Sequence, residues 1–388
     1  MKRATADAPS RVPPYLTLEA WRGLAALWVV LLHASLREIV EGGPALAAAP
    51  IRALILKGQL GVTMFFVISG YCIASAAVSA RARPRPLPHF LRARIRRIYP
   101  PYYFSLALFV GASYGAAALA SGDLSHTIGL GRADALRHGP LYYISTLTLT
   151  QSVFNQELVA IIYWSLCYEI AFYGIVALAL IATARALGGG QLLYTLDALT
   201  IAALVWLNVS PTTLSFPFNL WHQFGLGIFV YHLAATPSGR APRLLFAIAA
   251  LLVISLAIVH GEGGDLDHPS PRVQSFVCLA FSLALICLQP IDLRLIRLRL
   301  VRFLAWVGGF SYSLYLTHVL VVTGSFQVFR RLPRSLADYP ALRVLIQVAA
   351  SVAFARLFYW LCERPYLNRP AAMKPVAPGQ RIGEDLPT

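Results

Sequence analysis

Ten apolar stretches divide this chain, at roughly residues 16–36, 59–79, 98–120, 162–184, 191–209, 217–234, 244–260, 273–290, 303–329 and 340–362. Each approaches the ~20 residues that a helix needs to cross the hydrocarbon core of a bilayer. In lipid, backbone N–H and C=O groups must be satisfied within the segment, so such runs fold as helices. The expected fold is all-α, a polytopic transmembrane helical bundle of about ten spans. The sixth stretch is short and preceded by Pro217. The apolar run 141–154 is too short to cross and reads as a re-entrant or interfacial piece.

Charge supports the same class and orients it. Only 13% of residues are charged, about half the ~25% of a soluble domain. The net charge of +16 could suit nucleic acid, but no aromatic-basic recognition motif accompanies it, and nucleic acid is not an expected partner. With both termini cytoplasmic, the inner segments collect 21 of the 33 lysines and arginines, as the positive-inside rule requires. The stretch Arg81–Arg97 alone holds seven arginines. Glu262, Asp265 and Asp267 make an acidic external loop, whereas Arg330, Arg331 and Arg334 fall outside against the rule. Residues 1–14 and 367–388 are polar and rich in proline and read as disordered cytoplasmic ends around a membrane domain at 15–366. The first span exceeds a signal-peptide core and reads as retained.

Several polar groups sit inside this apolar frame. Arg22 and His33 are eleven residues apart in Trp21-Arg-Gly-Leu-Ala-Ala-Leu-Trp-Val-Val-Leu-Leu-His33. Eleven residues are almost three helical turns, so both point to about one face, roughly 16 Å apart. A cation in a span costs at least about 2.5–3.5 kcal/mol and normally meets a partner or a watery cavity. Ser69, beside Gly61, Gly70 and Tyr71, lies in the second span, where small residues also permit close helix packing. Arg94 and Arg97 share a helical face just before Ile98-Tyr99-Pro100-Pro101-Tyr102, a fork suited to phosphate oxygens, although anchoring beside anionic lipid explains it too.

Trp164-Ser165-Leu166-Cys167-Tyr168-Glu169 enters the fourth span with a nearly solitary intramembrane carboxylate. Glu169 could equally be the structural ion partner of Arg22 or Arg356. Ser311-Tyr312-Ser313-Leu314-Tyr315-Leu316-Thr317-His318 places a second histidine in the ninth span, where a hydrogen-bonded packing role is the plainer alternative. The five cysteines have no metal-ligand or redox spacing and read as buried hydrophobes. No metal constellation, Walker motif or dinucleotide glycine motif appears, and Gly188-Gly-Gly190 reads as a turn.

Together these segments resemble the acyltransferase family 3 of integral-membrane O-acyltransferases. The likeness rests on Arg22-x10-His33, Phe65-Phe-Val-Ile-Ser-Gly-Tyr71, Arg94-x-x-Arg97-Ile-Tyr-Pro100, Trp164-Ser-Leu-x-x-Glu169 and Ser311-Tyr-x-x-Tyr-Leu-x-His318, in the family's order across residues 15–366. The chain departs at Glu19-Ala20-Trp21, where the family often has Asp-Gly, and at Thr63-Met64, where many members have an acid. The resemblance implies ten core helices, a bacterial inner-membrane location and a cytoplasmic acyl-CoA donor, commonly acetyl-CoA, with no permanently bound cofactor. It implies a glycan or lipid-linked sugar acceptor; some members carry an extra esterase-like domain, which this chain is expected to lack.

By that likeness His33 is the catalytic histidine and Arg22, Arg94 and Arg97 are functionally important; His33 is expected to act as general base, Glu169 to orient its ring or stabilise its charged form, and the arginines to serve the donor. Ser69, Tyr71, Tyr102, Trp164, Ser165, Ser311, Tyr312 and His318 are expected along a substrate channel. A transporter or flippase using Arg22, Glu169 and His33 as a proton path is the alternative, and a non-catalytic scaffold a third reading. Acceptor identity, acyl length and oligomeric state are not legible.

Overall fold

Polar residues decide how these apolar helices meet. The computed structural model describes residues 15–40, 49–119, 139–184, 190–210, 214–259, 271–329 and 339–367. The N-terminal and tail readings, Gly188 and Gly189, the acidic loop at Glu262–Asp267 and the arginines at 330–334 lie outside the described residues.

Fifteen α-helices are described: α1 Leu18–Val40, α2 Ala49–Leu56, α3 Leu60–Arg81, α4 Pro86–Leu119, α5 Pro140–Thr148, α6 Gln151–Phe154, α7 Tyr163–Ala182, α8 Gly190–Val209, α9 Trp221–Ala235, α10 Arg240–Val259, α11 Pro271–Leu288, α12 Asp292–Leu295, α13 Arg299–Gly308, α14 Ser311–Phe329 and α15 Pro340–Phe358. No strand occurs among the described residues. The fold is an all-α membrane bundle.

Six described helical segments are long and apolar enough to cross a membrane, or seven if the bent pair α13–α14 counts as one span. The ten expected crossings are not reached by this measure. Helices α1 and α4 have the length, at 23 and 34 residues, but α1 carries Glu19 and Arg22, and α4 carries Arg92, Arg94, Arg96 and Arg97. Helix α4 also starts at Pro86, twelve residues before the apolar stretch, so the paired arginines stand on the same helix as that stretch. Proline at a helix start has no N–H that needs a partner.

The sixth expected span is α9, only 15 residues long, or about 22 Å at 1.5 Å per residue. It need not match the bilayer, because every residue from Trp221 to His232 is buried among α3, α8, α10 and α11. Its closest neighbour is α3. A Cβ on Gly70 would stand 1.9 Å from the Phe224 carbonyl oxygen, and one on Gly227 would stand 1.9 Å from that of Val67. Gly70 therefore serves backbone-to-backbone packing, as does Gly61 against Ala25 of α1.

The ninth expected span is not one helix. It breaks between α13 and α14 with a bend of 75°, at the Gly308-Gly309 pair. Glycine costs about 1 kcal/mol relative to alanine in a helix interior. Gly308 is also required by contact, since a Cβ there would lie 1.7 Å from the Glu19 carbonyl oxygen of α1. The entry to α1 is clamped by the buried Asp292, whose carboxylate accepts from the backbone N–H of Leu16 at 2.6 Å and of Thr17 at 2.9 Å, and from the Thr17 hydroxyl at 2.6 Å. Unpaired N–H groups at a helix start attract such an anion. Helix α1 thus stands fixed against α3, α13, α14 and α15, with its polar face turned into the bundle.

The short apolar run 141–154 forms α5 and α6, joined by Leu149 in left-handed backbone with φ 56°. The last carbonyls of α5 accept hydrogen bonds from three tyrosines of α4: Tyr102 to Thr146 at 2.7 Å, Tyr103 to Leu147 and Tyr99 to Thr148, both at 2.9 Å.

Candidate active site

Arg22 and His33 open into two different chambers along α1. His33 lines a cavity of about 630 Å³ together with Gln59, Thr63, Trp164, Gln223 and Gln274. Arg22 lines a chamber of about 60 Å³ with Ser69, Arg97, Glu169, Ser311 and Tyr312. Val62, Phe66 and Tyr315 belong to the walls of both. The expected channel is therefore two compartments divided by a septum. The 3.6-residue period that put Arg22 and His33 on one face puts them at its two ends.

In the large chamber, His33 Nδ1 lies 2.8 Å from the Val29 carbonyl oxygen. A carbonyl only accepts, so Nδ1 carries the proton and Nε2 is the basic nitrogen. The His318 ring stands edge-on to it, with centroids 4.9 Å apart. His318 is fully enclosed, and its Nδ1 donates to the Tyr315 carbonyl at 2.8 Å. Trp164 forms another wall, edge-on to Phe66 at 6.1 Å.

The small chamber is charged. The Glu169 carboxylate accepts from Ser69 Oγ at 3.2 Å and from Tyr173 Oη at 2.5 Å. Arg22 donates to Glu19 at 3.2 Å and also feels the Glu169 charge. Arg94 lies over the Tyr173 ring, 5.9 Å from its centroid. Tyr173 in turn interacts with Arg94 and Arg97. Arg22, Arg94, Arg97, Glu169 and Ser69 thus form one cluster on four helices. Ser165 shares a hydrogen bond of 2.6 Å with Tyr315, whose hydroxyl also donates to the Ile162 carbonyl at 2.7 Å, fixing the septum.

Several expected residues lie elsewhere in the structure. Glu169 lines the small chamber with Arg22 and Arg97, while the His33 ring meets that of His318. Tyr102 lines neither chamber: it is fully buried, caps α5 and packs on Tyr163 with centroids 4.9 Å apart. Tyr71 is likewise packed between Tyr15 and Tyr231, at 6.0 and 5.4 Å. Arg356 also pairs differently than expected, standing over the rings of Trp306, Phe310, Tyr359 and Trp360 at 5.3–5.7 Å.

Glu169 is not alone either. Buried Glu363, on the π-helical turn after α15, accepts from the Ser313 backbone N–H at 3.2 Å and its hydroxyl at 2.5 Å, and it faces the charges of Arg97 and Arg22. Its place before Arg364-Pro365 made it look like the end of a span. A second pair, Asp197 Oδ2 to His232 Nδ1 at 2.6 Å, is buried between α8 and α9 and lines neither chamber. Asp197 stood in an apolar run and was the available signal.

A membrane bundle with a basic histidine beside a buried arginine–carboxylate cluster is a frame for group transfer. Comparison with known proteins gives its class: the acyltransferase domain model matches residues 15–361, and the chain belongs to acyltransferase family 3. It is a membrane acyltransferase.

One similar protein is named "Putative membrane-bound transacylase BcsY", from Komagataeibacter xylinus; it is 28% identical over 354 residues, which are 87% of this chain and 81% of that protein. Another is "Protein 2 in picA locus" of Rhizobium radiobacter, 33% identical over 102 residues, 26% of this chain and 47% of that protein. No solved structure matches the chain.

Proposed function

We propose that this protein moves an acetyl group from cytoplasmic acetyl-CoA to a hydroxyl of a surface or exported glycan, in the bacterial inner membrane with both termini cytoplasmic. The observation that carries this reading is His33, held by Val29 with Nε2 as its basic nitrogen, on a chamber of about 630 Å³ that adjoins the arginine cluster. The family match and the transacylase relative support the acyl part.

The thioester is already activated, so the reaction needs a stronger oxygen nucleophile. Nε2 of His33 takes the acceptor hydroxyl proton as the new C–O bond forms. The C–S bond then breaks, and the imidazolium returns the proton to the departing thiolate. This direct transfer needs no acyl-histidine. Glu169 balances the arginine charges, and Arg94 and Arg97 on α4 bind donor phosphates.

A chamber of about 60 Å³ is well below the ~300–1,000 Å³ usual for small-molecule sites. The nucleotide therefore sits outside it, and the slender pantetheine arm reaches the large chamber once Phe66 and Tyr315 yield. The 16 Å between Arg22 and His33, about eleven rises of 1.5 Å, is a distance suited to such an arm.

Substituting Arg97→Gln removes a charged hydrogen bond worth about 1.5–3 kcal/mol. The KM for acetyl-CoA should rise by about ten- to a hundredfold, read by donor titration. An unchanged donor KM would remove the arginines from the donor path.

A further inference from the structure

The large chamber contains a feature that neither the proton transfer nor the arginine cluster uses. Three glutamines reach it from three elements: Gln59 before α3, Gln223 in the first turn of α9 and Gln274 in the first turn of α11. Leu32, Val62 and Leu220 line the same chamber. An amide in such a wall costs about 1–3 kcal/mol unless it is hydrogen-bonded. Gln223 is 2% exposed and donates from Nε2 to Oε1 of Gln274 at 3.2 Å. Its backbone is held by the glycine crossing of α3 and α9, where Gly70 meets the carbonyl of the next residue, Phe224, and Gly227 lies four residues on. A side-chain amide has two N–H donors and a two-lone-pair acceptor, so the bond to Gln274 leaves Gln223 with further hydrogen-bonding capacity.

We infer that Gln223 and Gln274, with Gln59 beside them, are acceptor-selecting residues that hold a polyhydroxylated substrate by neighbouring hydroxyls while one hydroxyl faces His33. This rests on the acyltransferase reading and adds to it the side chains that choose the acceptor.

The chemistry favours hydroxyls over the other occupants the walls allow. A hydroxyl both donates and accepts, as an amide does, so a pair of amides meets a pair of adjacent hydroxyls without burying charge. A phosphate would call for cations, and the arginines line the other chamber. A lipid or acyl chain would leave the glutamines without gain. Trp164 adds a flat apolar face on the same chamber, and about 630 Å³ lies within the ~300–1,000 Å³ usual for small-molecule sites.

The test uses the full-length protein in lipid vesicles with acetyl-CoA and two kinds of acceptor, the disaccharides maltose and cellobiose and the alkanol 1-hexanol. Gln223→Leu and Gln274→Leu keep approximate volume and remove the hydrogen bonds. Losing two neutral hydrogen bonds of about 0.5–1.5 kcal/mol each should raise the disaccharide KM about tenfold. The kcat, the transfer to hexanol and the hydrolysis of acetyl-CoA by water should stay within about twofold. Gln274, the less buried of the two, keeps the test open if Gln223→Leu fails to assemble.

An unchanged disaccharide KM, or an equal loss with both kinds of acceptor, would overturn the assignment. So would a wild-type protein that consumes acetyl-CoA and acylates hexanol but neither sugar; in that case acyl transfer stands and the acceptor wall falls. A wild-type protein that consumes no acetyl-CoA would instead fail the donor reading, and the wall with it.

Discussion

His33→Ala will reduce acyl transfer by about 10²–10⁴-fold, the usual contribution of a positioned general base, in a protein that still assembles. The chemistry and the packing point the same way. The ring is held through Nδ1 to the Val29 carbonyl of its own helix, and it borders a cavity. Removing it enlarges a space that already exists. Donor binding should survive, because the arginine cluster lies beyond the septum formed by Val62, Phe66 and Tyr315. The variant should keep the acetyl-CoA KM of the parent and lose kcat, which separates loss of the base from loss of the donor site. His33→Gln, similar in size and able to hydrogen-bond but not to act as a base at neutral pH, should be as inactive as alanine. Single-turnover rates with labelled acetyl-CoA measure both variants.

Gly227→Leu should prevent assembly altogether. A Cβ at this position would come within 1.9 Å of the Val67 carbonyl and 2.9 Å of the Tyr71 nitrogen, both backbone atoms of α3. Backbone cannot rotate away as a flexible side chain can, so the two helices must separate. Overpacking typically costs about 1–3 kcal/mol and can cost more, and a leucine here pries open the most enclosed helix of the bundle. The predicted result is loss of a monodisperse species on size exclusion in mild detergent. Gly324→Leu, where no atom lies within 4 Å of an added Cβ, is the control and should behave as the parent.

Much of the fold was legible because bilayer physics leaves few choices. Each apolar stretch holds a helix among the described residues, and Arg22, His33, Ser69, Arg97, Trp164, Glu169 and Ser311 line two adjoining chambers. What stayed hidden was decided by tertiary contact. Nothing in Trp221–Ala235 announces that protein encloses it on all sides, which frees it from the length that a lipid-facing span needs. The 75° bend of the ninth stretch depends on Gly308 meeting the backbone of α1, a contact 289 residues distant in sequence, from Glu19 to Gly308.

In the site, residue type indicated polar business but not which partner it met. Glu169 was expected to serve His33, yet a helical face gives a direction and not a neighbour, and its carboxylate meets Ser69 and Tyr173. Tyr102 lies two residues past the Arg94–Pro100 motif and caps a helix. Gln223 and Gln274 gave no periodic or charge signal, and only the meeting of α9 and α11 joins them.

The central claim is acyl transfer with His33 as base, and one measurement reaches it most directly. Purified parent protein and His33→Ala, each in sealed vesicles, are supplied with acetyl-CoA labelled in the acetyl group and with a disaccharide acceptor. The account predicts labelled sugar ester and a stoichiometric release of free CoA thiol from the parent, and neither above background from the variant. Equal ester formation by the two proteins would contradict it.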